Sequence, residues 1–272
     1  MYSVINMDIV GSRTVEDRRQ LQINLNSYIE DVNDKYRDIL AAPAAITLGD
    51  EWQLITGKLS EAYNLIHEFQ QLLWKDNVDL YAGIGIGELK TQISEDIRKM
   101  DGPCFHSARK ALNVVKNMKR LKNKYTVNKQ NKIFLLSDYM QINASNMNVL
   151  DFYYTSKLKY TRPVMQEIAA ASEFTHEKEN GQAVPDILML ERTINLLIEN
   201  NEVLKARMTK KQKEIYVSYL KLGSYRRIVD SAGSNETIGG ISQKLNSAGY
   251  FTIQRNHQLV SDLLNSYCSI GE

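Results

Sequence analysis

The sequence predicts an α/β fold in its first half, a sheet with helices packed on it, followed by a small all-α domain. Short apolar runs typical of strands alternate with longer segments whose apolar residues recur at helical spacing, in the order β-α-β-β-α-β-α-β. The C-terminal segment shows helical patterns alone, interrupted by Gly223 and Gly233. A chain of 272 residues is long enough for two cores.

The elements of the first half are predicted from periodicity and turn residues. The expected strands cover residues 2–8, 44–48, 52–56, 78–86 and 132–136. Helices are expected to begin at Thr14 and Ser60, whose hydroxyls suit a helix N-terminus, and a third is expected over 105–122. A tight turn at 49–51 joins the second and third strands, which predicts a hairpin.

Composition narrows the class of protein. An apolar content of 43% and a charged content of 24% are typical of a globular protein. No apolar run approaches the roughly 18 residues that a membrane span needs, and the N-terminus lacks the basic and apolar regions of a signal peptide. Cys104 and Cys268 have no metal-ligand spacing and indicate free thiols in a reducing compartment. We therefore expect a cytoplasmic protein without a membrane partner.

Two carboxylates carry the candidate chemistry of this half. Asp8 ends the first strand, and Asp50 lies at the tip of the hairpin. In a β-α-β-β sheet these strands are neighbours, so both carboxylates are expected at one edge, as Mg²⁺ bridging substrate phosphates requires. The alternative is that each aspartate simply forms a turn.

Four segments of the sequence, at residues 7–12, 47–52, 81–88 and 102–109, can be compared with known protein families. The first resembles the metal-binding segment of class III nucleotidyl cyclases, and the second resembles their Gly-Asp hairpin and the turn of diguanylate cyclases. Taken together, the four most resemble the SatD family. The resemblance implies a ferredoxin-like, cyclase-like sheet and a metal site at Asp8, Asp50 and Glu51. It also implies that a nucleotide is bound by Gly11, Ser12, Arg13, Gly49, His106, Arg109 and Lys110.

The sequence departs from active cyclases at the positions that perform cyclisation. Ile46 stands where the cyclases place a purine-selecting lysine, and His106 stands where they place an asparagine. Their arginine is out of register, at Arg109 or Lys110. The sequence therefore assigns no catalytic residue. We expect nucleotide binding or another phosphoryl chemistry rather than the synthesis of a cyclic nucleotide. His106 can alternatively hydrogen-bond a backbone group at the helix start.

Two further features of this half allow two interpretations each. The run 109–132 carries nine Lys and Arg residues without an acid, which indicates either a solvated helix face or a platform for phosphate. Gly83, Gly85 and Gly87 indicate that a helix or a ligand approaches the fourth strand closely.

The domain organisation is predicted as an α/β domain over 1–170, a linker and connecting helix over 171–205, and a helical domain over 206–272. The apolar residues of 187–204 suit a connecting helix or the seam of a homodimer.

The last domain has the order of a helix-turn-helix. Thr209 is expected to cap a helix that Gly223 ends, a short helix covers 225–232, and a third covers 235–248 with Ile238 on its buried side. The segment resembles the final region of sigma factors. We expect DNA contacts from Arg226, Arg227, Asn235, Thr237, Gln243 and Lys244. The alternative is a protein-interaction or structural module. Gly239 and Gly240 in the third helix indicate either a close approach to the DNA backbone or a module that has lost its DNA role.

Three functions follow from these features. The favoured hypothesis is a DNA-binding regulator that senses a nucleotide or a metal through its cyclase-like domain. The alternatives are a Mg²⁺-dependent phosphoryl or nucleotidyl transferase with the helix-turn-helix as scaffold, and a catalytically degenerate adaptor.

Overall fold

The computed structural model describes residues 1–117, 128–138, 183–231 and 236–270 of the chain. Five strands are present in this part: β1 (Tyr2–Ile9), β2 (Leu40–Leu48), β3 (Glu51–Thr56), β4 (Leu80–Gly87) and β5 (Ile133–Ser137). Three helices, α1 (Arg18–Lys35), α2 (Ala62–Leu73) and α3 (Pro103–Lys116), accompany the sheet. The C-terminal helices are α4 (Ala183–Ala206), α5 (Lys210–Leu222), α6 (Tyr225–Asp230), α7 (Ile238–Ser247) and α8 (Tyr250–Ile270).

The strands form one mixed sheet in the order β2-β3-β1-β4-β5. β1 pairs antiparallel with both β3 and β4, β2 pairs antiparallel with β3, and β5 lies parallel to β4. In the β1–β3 register Asp8 lies opposite Glu51. The prediction of a mixed α/β fold is confirmed.

The two faces of the sheet are covered by different helices. Along β1, Ile5, Met7 and Ile9 enter the main core together with residues of α1 and α2. Val4 points the other way, into a smaller core that includes Cys104 and Ala108 of α3. This alternation follows from the two-residue period of a strand. Asp8 therefore shares the face covered by α3.

Glycines of β4 allow α3 to lie directly on the strand. A Cβ atom at Gly83 would lie 2.2 Å from the backbone nitrogen of Leu112, and one at Gly85 would lie 2.1 Å from the carbonyl oxygen of Cys104. At these positions a helix, and not a ligand, makes the close approach. The backbone of α3 is thereby held at a fixed distance from the sheet.

Two predicted helix starts are wrong. α1 begins at Arg18 and is capped by Asp17, whose carboxylate accepts a 2.8 Å hydrogen bond from Gln20 N. Thr14 instead ends a short 3₁₀ helix (Ser12–Thr14), because its hydroxyl donates back to the carbonyl of Gly11. Another 3₁₀ turn, Leu59–Glu61, occupies the expected start at Ser60. The predicted helix over 105–122 begins earlier, at Pro103, and its residues beyond 117 lie outside the described part of the chain.

The C-terminal helices pack on the sheet. α4 and α8 run antiparallel, since Tyr267 hydrogen-bonds Glu191 at one end and Asn201 hydrogen-bonds the carbonyl of Ile253 at the other. Ile194 and Ile198 of α4 and Val260 and Leu264 of α8 complete the main core. Met189 and Leu196 of α4 are exposed. The predicted homodimer seam therefore remains a prediction, and it concerns the side of α4 that carries these two residues.

Asn195 of α4 also binds the edge of the sheet. Its side-chain amide donates to the carbonyl oxygen of Leu135 at 3.0 Å and accepts from the backbone N–H of Leu135 at 2.9 Å. In the described part of the chain β5 has a strand neighbour on one side alone, and the amide satisfies part of its other side.

The remaining helices form a second core around Tyr216 and Ile241, to which Trp74 of the sheet half contributes. The predicted cap of α5 is present as a capping box between Thr209 and Gln212, and Gly223 ends the helix with φ 64°. The domain boundaries at 170 and 205 stay predictions, the first of them outside the described residues. No helix in the described ranges has the length and apolarity needed to cross a membrane.

Candidate functional site

A cleft of about 530 Å³ opens where β1 ends beside the β2–β3 hairpin. Acidic, basic and apolar side chains all line this cleft. Its lining consists of Asp8, Ile9, Gly11, Ser12, Arg13, Leu48, Gly49, Asp50, Glu51, Tyr81 and Lys116. Seven of the residues that the sequence assigns to a metal or nucleotide site thus lie in one place: Asp8, Gly11, Ser12, Arg13, Gly49, Asp50 and Glu51.

Asp8 and Asp50 are direct neighbours, and their carboxyl groups share a hydrogen bond. Local geometry explains the approach. Asp8 is the last residue but one of β1 and lies on the α3 face, and Gly49 adopts φ 61°, a left-handed conformation that makes the hairpin turn tight. Ser12, from the loop after β1, donates a hydrogen bond to Asp50. The loop and the turn therefore converge on one pair of carboxyl groups.

The pKa values of the pair shift in opposite directions. Burial raises the pKa of Asp8; the contact with Lys116 opposes this rise, and the neighbouring Asp50 adds to it. Burial also acts to raise the pKa of Asp50, but hydrogen bonds from Ser12, Asp8 and its own backbone, with the charge of Arg18, lower it below the ordinary value. The two groups therefore titrate as a pair, with the proton favoured on Asp8.

Two basic residues of α3 meet the acids at the strand ends. Nζ of Lys116 forms an ion pair with Oδ2 of Asp8, and Nη1 of Arg109 lies 2.7 Å from Oε1 of Glu51. Lys116 follows Arg109 by seven positions, about two helical turns, which places them on one side of the helix. Glu51 is thus paired with an arginine rather than turned freely toward a cation.

Sequence reasoning included Lys116 in the basic run but did not assign it to the site. Its spacing of seven from Arg109 was the available signal, and recognising it required knowing which side of α3 faces the sheet. Arg18, whose charge lowers the pKa of Asp50, was also missed. No motif marks it, since it opens a helix ten residues after Asp8.

His106, Arg109 and Lys110 do not line the cleft. The His106 side chain is 65% exposed, and its Nε2 lies 3.6 Å from Oδ1 of Asp101. Lys110 is exposed on α3. Of these three predicted nucleotide ligands, Arg109 contacts a residue of the cleft lining, through its ion pair with Glu51.

The donor set limits the kind of metal that the cleft fits. Among the described residues no cluster of three or more His, Cys, Asp or Glu side chains has a metal-binding arrangement. Two adjoining carboxylates suit Mg²⁺, which keeps several waters and is usually held by one or two carboxylates together with phosphate oxygens. Asp8 and Asp50 fit a cation that arrives with a phosphate ligand, and they do not form a closed structural metal site.

The predicted DNA-binding residues lie on a separate surface. Arg226 and Arg227 of α6 and Gln243 of α7 are exposed, as is Thr237, which caps α7 by accepting a hydrogen bond from Gly240 N. Lys244 is tied to Glu236 at 2.6 Å, and Asn235 lies outside the described residues. Ile238, predicted to be buried, is 52% exposed, because α7 begins there and not three residues earlier.

Fold and cleft together define an α/β protein with a pair of carboxyl groups at one end of a mixed sheet. The model of one protein family, the SatD family, matches residues 2–165, which cover the sheet and the cleft. The chain belongs to the SatD family. No curated protein matches it.

Proposed function

We propose that this protein is a DNA-binding regulator whose N-terminal domain binds a nucleotide together with Mg²⁺ in the cleft beside β1. The observation that carries the proposal is the direct contact between Asp8 and Asp50 in an open cleft. Two carboxyl groups this close repel each other when both are ionised, and a divalent cation removes that repulsion.

The strand arrangement supports a ferredoxin-like, cyclase-like domain. The order β2-β3-β1-β4, with antiparallel pairing throughout, is that of a β-α-β-β-α-β sheet in which β1 lies between β3 and β4. Asp8 lies at the end of β1 and Asp50 in the turn before β3, the two positions at which the resembling cyclases bind metal. The proposal therefore assigns Asp8 and Asp50 the same role here.

The cleft offers complementary surfaces to the parts of a nucleotide. Asp8 and Asp50 would hold the cation, which supplies charge to bind and orient the phosphates. Ser12, Arg13 and Lys116 line the same cleft and supply polar and basic groups, and Leu48 and Tyr81 add apolar surface to its lining. Leu48 is 75% exposed at the mouth, where a base or a sugar can cover it.

Binding is favoured over turnover by the positions of three residues. Ile46, in place of a purine-selecting lysine, packs at the margin of the main core. His106 stands beside Asp101, and Arg109 is engaged by Glu51. No basic residue in the described ranges other than Arg13 and Lys116 lines the cleft, so few cations face developing negative charge there.

Calorimetric titration with ATP and GTP, with and without Mg²⁺, tests the proposal. We expect binding that requires the cation, is lost in Asp50→Asn and is retained in Asp34→Asn, which removes a carboxylate that is 80% exposed on α1. Absence of binding at millimolar nucleotide overturns the proposal. Conversion of the nucleotide during incubation, abolished by Asp50→Asn, assigns the cleft to an enzyme of phosphoryl or nucleotidyl transfer instead.

A further inference from the structure

Lys116 occupies an unusual place for a surface lysine. It is the last residue of α3, its side chain lines the cleft, and its ammonium group contacts a carboxylate that is 12% exposed. Oδ2 of Asp8, the oxygen that it contacts, belongs to the carboxyl group that also touches Asp50. The lysine therefore places a positive charge at the point where a cation would bind.

The backbone of α3 is closely packed near the cleft, so moving it away would cost packing contacts. Gly83 and Gly85 let the helix lie so close to β4 that no space remains even for a Cβ atom. The side chain of Lys116 differs, because it has four rotatable bonds and is 38% exposed. When a cation binds to the Asp8 carboxylate, we therefore expect the ammonium group of Lys116 to move and the backbone of α3 to stay in place.

A divalent cation on Asp8 and Asp50 would repel the ammonium group from its present position, since like charges in a partly buried site are poorly screened. The phosphate that accompanies the cation supplies a new partner within the same cleft. Lysine suits this exchange because its ammonium group is a compact charge whose three donors can turn toward any phosphate oxygen.

We infer that Lys116 exchanges partners, binding Asp8 in the cation-free cleft and the phosphate once a cation has replaced it on Asp8. The inference rests on the proposed function and assigns one residue two opposite effects. Lys116 competes with the bare cation and helps to bind the cation–phosphate complex. A residue that merely stabilised the fold would not act on the two ligands in opposite directions.

Two calorimetric titrations separate the effects: Mn²⁺ alone, and inorganic pyrophosphate in the presence of saturating Mg²⁺. In Lys116→Met the affinity for Mn²⁺ should rise about tenfold and the affinity for Mg²⁺-pyrophosphate should fall about tenfold, the order of one charged contact in each case. Lys116→Arg should keep both affinities near those of the wild type. Lys99→Met, which removes an exposed lysine in a separate turn, is the matched control.

The result that overturns the inference is a Lys116→Met protein whose two affinities are unchanged or move in the same direction, while the wild type binds both ligands. That outcome leaves the proposed function intact. A wild type that binds neither Mn²⁺ nor Mg²⁺-pyrophosphate overturns the inference and the proposed function together. Melting temperatures of all variants establish that each is folded during the titrations.

Discussion

Nε2 of His67 lies 2.9 Å from the hydroxyl oxygen of Tyr216, so a histidine of α2 in the sheet half meets α5 in the C-terminal helices. On its other side Nδ1 of His67 faces Oε1 of Gln70 at 3.2 Å, and the same amide oxygen accepts from Nζ of Lys205. Lys205 forms a buried ion pair with Glu202. A continuous polar network thus joins α2, α4 and α5 within the protein interior.

Removing the Tyr216 hydroxyl should weaken this junction. Tyr216→Phe deletes the partner of His67 and of the Gln254 amide, which donates to the same oxygen at 2.8 Å. Buried groups left without a partner cost about 1–2 kcal/mol in unfolding free energy. Chemical denaturation measures the change, and Tyr225→Phe, outside this network, should cost less than half as much. Equal destabilisation in the two variants would show that the hydrogen bonds of the Tyr216 hydroxyl add no particular stability.

Stability should fall in mild acid because two buried histidines resist protonation. Burial, reinforced by the charge of Lys205, holds the pKa of His67 well below the ordinary value, and burial, Lys205 and His67 do the same for His257. Below the unfolded pKa of about 6.5 the unfolded chain binds protons that the folded chain does not. Each histidine should therefore remove up to about 1.4 kcal/mol of unfolding free energy per pH unit below that point.

His257→Phe isolates one of these contributions. The His257 ring stacks on Tyr63 with centroids 4.2 Å apart, and phenylalanine can keep that stacking while removing the titrating group. The variant should lose its unfolding free energy less steeply between pH 6.5 and pH 5 than the wild type, in denaturation series at several pH values. An unchanged slope would assign the acid sensitivity to other groups, such as the carboxyl groups of the cleft.

Two glycine-to-alanine changes should have opposite effects on stability. Gly85→Ala forces a methyl group into the backbone of α3 and should cost about 3 kcal/mol of unfolding free energy, since overpacking shifts the surrounding backbone. Gly239→Ala meets nothing within 4 Å and should add about 0.5–1 kcal/mol by restricting the unfolded chain. Thermal denaturation distinguishes the two, and a stable Gly85→Ala protein would show that α3 can move.

DNA binding by the C-terminal helices should depend on the exposed arginines of α6. Replacing Arg226 and Arg227 by alanine should weaken binding to all duplexes alike and reduce the slope of log K against log salt by about 0.9 for each phosphate that is no longer neutralised. Fluorescence anisotropy at several salt concentrations measures both quantities. Lys58→Ala with Lys99→Ala, on the sheet half, removes the same number of positive charges and serves as the control. No binding of the wild type at low salt would remove DNA from the proposed function.

Part of the candidate site could be predicted because its signals are local. Asp8 at a strand end and Asp50 in a Gly-containing turn need no more than strand adjacency to bring them together. Arg18 acts on Asp50 through its charge, and Lys116 contacts Asp8. Both belong to helices whose orientation depends on packing of the whole sheet, which no local pattern encodes. Lys116 shows the difference well, since its basic neighbours indicate a solvated face while its own side chain meets Asp8.

The packing of the C-terminal helices on the sheet could not be predicted either, because it also depends on contacts between distant segments. Apolar residues at helical spacing in α4 show that one side is buried, but they do not identify the covering surface. Glu202 and Lys205, both below 5% exposed, resemble solvent-facing residues in the sequence because their mutual pairing is invisible there. The structure shows instead that Ile194 and Ile198 complete the core of the sheet.

The amide of Asn195 on β5 has a consequence during synthesis. The backbone N–H and carbonyl of Leu135 would otherwise be available for pairing with a strand of another chain, the usual route to edge-to-edge aggregation. Because Asn195 lies 60 residues further along, these two hydrogen bonds form only after α4 has emerged from the ribosome. A fragment ending before α4 should therefore precipitate far more readily than the full chain, and Asn195→Leu should reproduce part of that decrease in solubility.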